Sequence, residues 1–471
     1  MKIKFCGAAQ TVTGSQHLLE IDGKKILLDC GMFQGRREEA YQMNRKFIFN
    51  PEEIDCVLLS HAHIDHSGNL PTLILKGYQK SIYTTSASRD LASILLQDSA
   101  HIQEKDVEFV NKKRNKKGEP LFNPLYTIDN AIEALKHFKS FPLQTKFYLD
   151  GFNGNVSVTF IEAGHILGSA QILLEINDNG RIIKLGYTGD LGRYNLPILK
   201  DPEFMGDVDF LLIESTYGGR EHKSAEFAEA ELENAIKEAM VTNGKIIVPS
   251  FSVGRTQEIV YAITKLFKKG AIPKIPIFVD SPLSVKATEI FKLHPECFDR
   301  ETLELIENGI ELFGEENVKY ISDVNDSKKL NTYQGPCMII SASGMCEAGR
   351  ILHHLANNIE NPNNTIFIVG FMAEHTLGRK LIDMKDLSGG TVKIYGEEFK
   401  VKAKIKVLNS FSAHADKNEL RKYVSLFDKN KIKKIFLVHG EPDQQKIFRD
   451  DLLSMGYKNI EVPARGDEFE I

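Results

Sequence analysis

The chain is poor in cysteine. Its 471 residues carry six, Cys6, Cys30, Cys56, Cys297, Cys337 and Cys346, scattered and with no C-x-x-C pair. This excludes a disulfide framework and a thiolate metal site, and predicts six reduced, buried thiols. Long apolar runs are also missing. None approaches the ~18 residues that a membrane helix needs. The opening Met1-Lys2-Ile3-Lys4-Phe5 alternates like a strand and has no signal-peptide core, so a cytoplasmic protein is expected. Nor does either charge dominate. Lys+Arg number 59 and Asp+Glu 64, a formal net charge of −5, which rules out a strongly basic nucleic-acid-binding tail as the main feature. Low-complexity tracts and fixed-period repeats are absent, and 42% hydrophobic with 26% charged residues is ordinary for a globular chain. At roughly 100–200 residues per domain the length predicts two to four domains.

What is present falls into three stretches. Up to about residue 217, short strands dominate: Lys2–Phe5, a hairpin of His17–Ile21 and Lys25–Asp29 around Asp22-Gly23, and a buried strand over Ile54–Ser60. Val156–Glu162, Ala170–Ile176, Ile182–Tyr187 and Phe210–Glu214 continue the series, with Asn177-Asp178-Asn179-Gly180 as a hairpin turn. Ser86–Val110 has helical periodicity, and Lys112–Gly118 reads as a basic, solvated loop. From about 218 to 400, helices alternate with apolar strands in the βα manner. After 401, strands (Lys404–Leu408, Lys434–Val438) and helices (Lys417–Phe427, Asp443–Met455) follow. The pattern is an α/β class chain, with residues 218–400 inserted into a domain made of 1–217 and 401–471.

The most specific segment is Ser60-His61-Ala62-His63-Ile64-Asp65-His66-Ser67-Gly68. Imidazole nitrogen and carboxylate oxygen are good ligands for Zn²⁺ or Mn²⁺. One tetrahedral ion cannot comfortably take all four donors from so short a stretch. Two ions can, with His61 and His63 serving one and Asp65 and His66 the other. The missing ligands should come from Gly-rich turns just beyond strands. His165 (in Ala163-Gly164-His165), Asp190 (in Gly189-Asp190-Leu191-Gly192) and His439 (in Val438-His439-Gly440) fit, and a carboxylate such as Asp190 can bridge two cations.

These segments resemble the metallo-β-lactamase superfamily. Three more resemble its β-CASP branch, which includes the nuclease subunit of the pre-mRNA 3′-end cleavage factor. They are Ile213-Glu214-Ser215-Thr216-Tyr217 (motif A), Ser410-Phe411-Ser412-Ala413-His414-Ala415-Asp416 (motif B) and Val438-His439-Gly440-Glu441 (motif C). Asp29, in Leu28-Asp29-Cys30-Gly31, matches the aspartate that supports the metal loop. The resemblance implies an αββα sandwich with an inserted β-CASP domain. It also implies two Zn²⁺ ions, with Mn²⁺ an alternative: one held by His61, His63 and His165, the other by Asp65, His66 and His439, and Asp190 bridging. A histidine at motif C is similar to the RNA-processing members, so the expected partner is an RNA substrate. A DNA nuclease, or an ester or thioester hydrolase on the same metals, is the alternative.

Two cations about 3.5–4 Å apart suit in-line phosphoryl transfer by an activated hydroxide. The leaving ribose oxygen then needs a proton. His414 is the candidate general acid, with Glu214 fixing its tautomer and Asp65 completing the catalytic set. For gripping substrate, Ser343 and Gly344 lie in a small-residue turn leading into a helix over Glu347–Asn357, where backbone N–H groups can meet a phosphate. Arg255 and Arg379 offer guanidiniums. His353 and His354 are read as structural. His375 stands where the similar family segment commonly has glycine. The short tail beyond His439, and the lack of a module before the first strand, lead us to expect a compact bacterial-type enzyme. A homodimer is left open.

Overall fold

The computed structural model describes residues 1–471 apart from 36, 179, 223–224, 315–316, 371, 373–374, 386–388 and 409–411. Two compact units emerge. One comprises Met1–Tyr194, Asp201–Glu221 and His414–Ile471, the other Asn195–Lys200 and His222–Ala413.

The first unit is built on two sheets, each seven-stranded among the described residues. One runs in the spatial order Glu468–Glu470, Lys2–Phe5, His17–Ile21, Lys24–Leu28, Cys56–Leu58, Ile82–Thr84, Phe138–Ser140. The other runs Ile460–Glu461, Lys434–Val438, Phe210–Glu214, Arg181–Tyr187, Ala170–Asp178, Val156–Glu162, Lys146–Tyr148. Alternation within the strands sends one set of apolar side chains inward. Phe5, Leu19, Ile26, Leu28 and Leu58 of the first sheet share a buried core with Val158, Phe160, Ile172, Leu174, Leu212 and Phe436 of the second. The opposite faces take helices. Leu211, Ile213, Ile435 and Leu437 pack with Leu420 and Tyr423 of the helix Lys417–Val424 and Phe448 and Leu452 of Pro442–Ser454. Leu27, Val57 and Ile82 pack with Leu70 and Leu73 of the helix Leu70–Leu75. The result is the expected αββα sandwich.

The Asp22-Gly23 hairpin forms with Ile21 opposite Lys24, and both turn residues have positive φ, 49° and 75°. A two-residue I′ turn demands this. Other elements differ from the sequence expectation. Only Cys56–Leu58 of Ile54–Ser60 pairs as a strand: Ile54 caps the 3-10 turn Pro51–Glu53, and at the other end the Ser60 amide is taken by Asp29 Oδ1 at 2.7 Å. The helix from Ser86 runs to Asn115. The basic residues Lys112 and Arg114 therefore stand on its last turn and not in a loop, with Lys112 paired to Glu108 one turn back at 3.0 Å. Asn179 of the second hairpin turn lies outside the described residues. The three-residue edge strands Phe138–Ser140 and Lys146–Tyr148 went unforeseen, being too short to show a period.

The second unit holds a parallel sheet in the order Val318–Tyr320, Ile277–Val279, Cys337–Ser341, Lys245–Pro249, Thr365–Ile368, Lys404–Val407. Helices such as Arg350–Asn358 cover it, burying Ile351 and Leu355 against Ile339 and Ile366. The last strand, grouped with the C-terminal stretch on sequence, pairs in parallel with Thr365–Ile368 and belongs to this sheet. All six cysteines are free and buried. No helix among the described residues is long and apolar enough to cross a membrane.

Candidate metal centre

Parallel strands end together, so the loops that follow them converge on one sheet edge. Lys24–Leu28 and Cys56–Leu58 run parallel, as do Arg181–Tyr187, Phe210–Glu214 and Lys434–Val438. Asp29, His61, Asp190, Glu214 and His439 sit at or just past their C-terminal ends. The His61–His66 stretch is not all loop: Ile64–Ser67 forms one helical turn. Its backbone is clasped by the loop after Asp29, with Met32 N–H donating to Ile64 O at 2.9 Å and Cys30 N–H to His66 O at 2.8 Å. Gly31 lies so close that a Cβ there would fall 1.6 Å from Asp65 O. Gly192 likewise abuts Gly164 O, bringing the Asp190 and His165 loops into contact. Only glycine permits either approach.

The donor atoms within reach of one another form three overlapping groups: His61, His63, His165 and Asp190; Asp65, His66 and His439; and Asp190, Glu214, His414 and His439. In the first, His63 Nδ1 lies 3.2 Å from His61 Nε2 and 3.1 Å from His165 Nε2, and Asp190 Oδ2 is 3.6 Å from both Nε2 atoms. In the second, His439 Nε2 is 3.5 Å from Asp65 Oδ2, and His66 Nε2 is 3.3 Å from the same Asp190 Oδ2. All seven residues assigned from sequence are thus brought together, with the Asp190 carboxylate shared.

This donor set fits cations. His61, His66, His165, Asp190 and His439 are almost fully buried. Three imidazole nitrogens crowded at one point cannot all be satisfied by protons passed among themselves. The Nε2 atoms of His66 and His439 and Oδ1 of Asp190 make no sound hydrogen bond, an expensive state unless a cation takes the lone pairs. Ligands 2.0–2.1 Å from a tetrahedral zinc lie about 3.3 Å apart, the spacing found here.

Asp29 organises the histidines from behind. It accepts hydrogen bonds from Ser60 N (2.7 Å), Ser60 Oγ (2.8 Å), His66 Nδ1 (2.7 Å) and Tyr187 OH (2.6 Å). His66 therefore carries its proton on Nδ1 and turns Nε2 to the centre. Ser60 Oγ, having given its proton to Asp29, accepts from His61 Nδ1 at 3.0 Å and orients that ring the same way. Burial, reinforced by neighbouring histidines, holds His61 and His165 well below the usual imidazole range and His63 at about 4, so these rings are neutral and free to ligate. For Asp190, burial would raise the carboxyl, but His439, His66 and His414 outweigh it and hold it ionised.

His414 stands beside this cluster. Its Nδ1 is 3.2 Å from Glu214 Oε1 and 3.9 Å from Asp190 Oδ2. Glu214 is itself fixed by Leu191 N–H, which donates to Oε1 at 2.7 Å. Burial disfavours a charged His414, but the Glu214 and Asp190 carboxylates prevail and push it up to about 9. It does not cap the neighbouring helix, where Asp416 forms a capping box with Glu419. Ser410 and Phe411 of motif B lie outside the described residues.

The substrate-gripping candidates all belong to the second unit, and three of them make contacts within it. Arg255 is buried and its guanidinium is bonded to Glu258. Arg379 pairs with Asp383 at 2.9 Å. The helix after Ser343 and Gly344 begins at Arg350, behind Gly349, so their turn is not a helix N-terminus. Ser343 Oγ instead accepts from the amides of Glu347 and Ala348 at 3.1 and 3.3 Å. His375 is exposed with φ +69°, a conformation that glycine favours. The roles of three hydroxyls were missed on sequence: Ser60 and Thr216 contact the rings of His61 and His439, and Tyr187 bonds Asp29. Ser60 opens the histidine-rich segment and Thr216 stands inside motif A, and those positions were the available signals.

An αββα sandwich with a histidine–aspartate cluster at one edge defines a metallo-hydrolase. Residues 18–184 match the metallo-beta-lactamase superfamily domain, 256–381 the Beta-Casp domain, and 398–463 the Zn-dependent metallo-hydrolase RNA specificity domain. The chain is 34% identical over 99% of its length to a ribonuclease of Thermus thermophilus, covering 99% of that protein. It is 29% identical over its full length to the transcription termination factor FttA of Methanocaldococcus jannaschii, covering 72% of it. A crystal structure of a protein of unknown function from Enterococcus faecalis shares the fold, with TM-score 0.54 at 14% identity and 99% coverage of both chains. The chain belongs to the β-CASP family of the metallo-β-lactamase superfamily.

Proposed function

We propose that this chain is a zinc-dependent ribonuclease that hydrolyses RNA phosphodiester bonds. His61, His63 and His165 would hold one Zn²⁺, Asp65, His66 and His439 the other, and Asp190 both. Mn²⁺ suits the same nitrogen and oxygen donors. Bound divalent cations supply positive charge for the scissile phosphate and acidify a water. The chain supplies the rest. Asp29 and Ser60 keep the His66 and His61 rings turned inward. Glu214 accepts a hydrogen bond from Nδ1–H of His414, so a protonated ring keeps that proton and can give its Nε2 proton to the leaving ribose oxygen.

The observation that carries this reading is the Glu214–His414 pair set within 3.9 Å of the shared Asp190 carboxylate. An imidazole whose Nδ1 is fixed by the buried Glu214 carboxylate, beside the cluster, is placed to act as a general acid. RNA is favoured over DNA by the histidine at motif C, by the match to an RNA specificity domain, and by relatives named for RNA cleavage and transcription termination.

The test is His414→Ala, assayed on end-labelled single-stranded RNA and DNA, with ion content measured alongside. The variant should keep its ions and lose about 10²–10⁴-fold in RNA turnover. Unchanged turnover removes His414 from the mechanism. Equal cleavage of DNA by the parent protein overturns the choice of RNA, and thioester hydrolysis without RNA cleavage overturns the nuclease reading.

A further inference from the structure

His439 is the ligand histidine with the least regular backbone. It has φ +48°, a left-handed conformation rare for a non-glycine residue. Residues of the strand–loop junction at 214–217 hold it there. Ser215 N–H donates to His439 O at 3.2 Å, and Ser215 Oγ to Val438 O at 2.6 Å. Thr216 Oγ1 lies 3.1 Å from His439 O and 3.0 Å from His439 Nδ1.

A threonine hydroxyl has one proton to give. If it goes to the His439 carbonyl, the hydroxyl oxygen is left to accept from Nδ1–H. That ring tautomer leaves Nε2 bare, and Nε2 is the atom that points at Asp65 and lacks a hydrogen bond. The reverse arrangement, with the hydroxyl donating to Nδ1, would put the ring proton on Nε2, between His439 and Asp65, and block coordination there. We infer that Thr216 is a positioning residue: its hydroxyl holds the left-handed turn and, with Asp190 Oδ1 3.3 Å from the same nitrogen, favours the Nδ1–H tautomer of His439, and so tunes the affinity of the ion held with Asp65 and His66. This rests on the metal reading above. Ser60 gives the same support to His61 from the other sheet.

The experiment compares Thr216→Ser, Thr216→Val and His439→Ala in the full-length protein. Zn²⁺ stoichiometry and affinity are measured by chelator competition, with ¹⁵N-histidine NMR of the zinc-loaded parent. Thr216→Ser should bind both ions like the parent. Thr216→Val, nearly isosteric but without the hydroxyl, should bind one ion normally and the other about 10–100-fold more weakly. The His439 resonance, assigned by its loss in His439→Ala, should show a protonated Nδ1. Parent-like affinity in Thr216→Val, or a bare Nδ1 in the parent, overturns the inference. If Thr216→Val does not fold, the NMR tautomer alone decides. His439→Ala separates the two claims: if it retains both ions at parent affinity, the ligand assignment fails, whereas loss of one ion there with none in Thr216→Val sinks only the role of Thr216.

Discussion

At the scale of single residues, the centre is an exercise in satisfying buried polar atoms. Asp29 is fully buried and survives because four donors meet its two oxygens. Tyr187 is the most distant of these along the chain, and its hydroxyl in turn meets Ser15 Oγ at 2.9 Å. Tyr187→Phe deletes one oxygen and leaves both neighbours short of a partner. It should cost about 1–3 kcal/mol in denaturant unfolding of the metal-free protein. A change below about 0.5 kcal/mol, the size of an ordinary surface substitution, would show that Asp29 does not depend on it. The histidines and aspartates of this network were legible in sequence because few other residues bind metals and their spacing is tight. The hydroxyls were not. Tyr187 reads as an apolar strand residue, and its partner lies 158 positions away. Thr216 meets a histidine 223 positions away. Serine, threonine and tyrosine are too common for local sequence to reveal which of them completes a distant ligand.

At the scale of elements, a different carboxylate ties the second unit together. On sequence, Asp280-Ser281-Pro282 reads as a helix cap and first-turn proline. Ser281 is the cap, accepting from Ser284 N, and Pro282 opens the helix. Asp280 faces the other way. It takes Arg350 Nη1 and His354 Nε2 at 2.6 Å each, and Ser327 Oγ at 2.5 Å. The helix Arg350–Asn358 is thereby bolted to the end of the strand Ile277–Val279, and His354 is structural, as its sequence suggested. Burial alone would raise the Asp280 carboxyl, but the bonds from His354, Ser327 and Arg350 overcome it and hold it below the usual range. A folded-state value below the unfolded one means stability that is present above about pH 3.9 and lost as pH falls through the lower, folded value. Asp280→Asn should therefore destabilise by on the order of 3 kcal/mol at neutral pH. The gap to the parent should narrow as urea unfolding is repeated below about pH 4. A gap that stays constant down to pH 3 would contradict the carboxylate's role.

At the scale of the whole molecule, charge is a matter of placement. A net charge of −5 argues against broad, non-specific attraction to a polyanion. Yet several acids are committed to the centre, where Asp29, Asp65, Asp190 and Glu214 face histidines and, on the proposed reading, two cations. Ions that bind the native but not the unfolded chain stabilise it by mass action. Stripping the protein with a chelator should abolish RNA cleavage and lower the thermal midpoint while far-UV circular dichroism persists, because the core between the sheets is built of apolar side chains and includes none of the proposed ligands. Collapse of the circular dichroism on chelation would mean that the ions are needed for the fold itself.

By itself the sequence determined the strand periodicities, the βα alternation of the middle stretch, the H-x-H-x-D-H segment and the three further donors, His165, Asp190 and His439, proposed to complete it. These are local or compositional signals, and a single pass along the chain can collect them. The tertiary structure alone decided which atoms meet. It closed two sheets so that loops ending at residues 29, 66, 165, 190 and 439 share one edge. It turned Lys112 and Arg114 onto a helix, buried Arg255 against Glu258, and moved the strand Lys404–Val407 into the parallel sheet of the second unit. The physical reason is the same in each case. A side chain's role depends on what stands across from it: for the clustered donors and the strand Lys404–Val407 that partner comes from a distant part of the chain, and for Lys112 and Arg255 it lies one helical turn away, which shows only once the helix is placed.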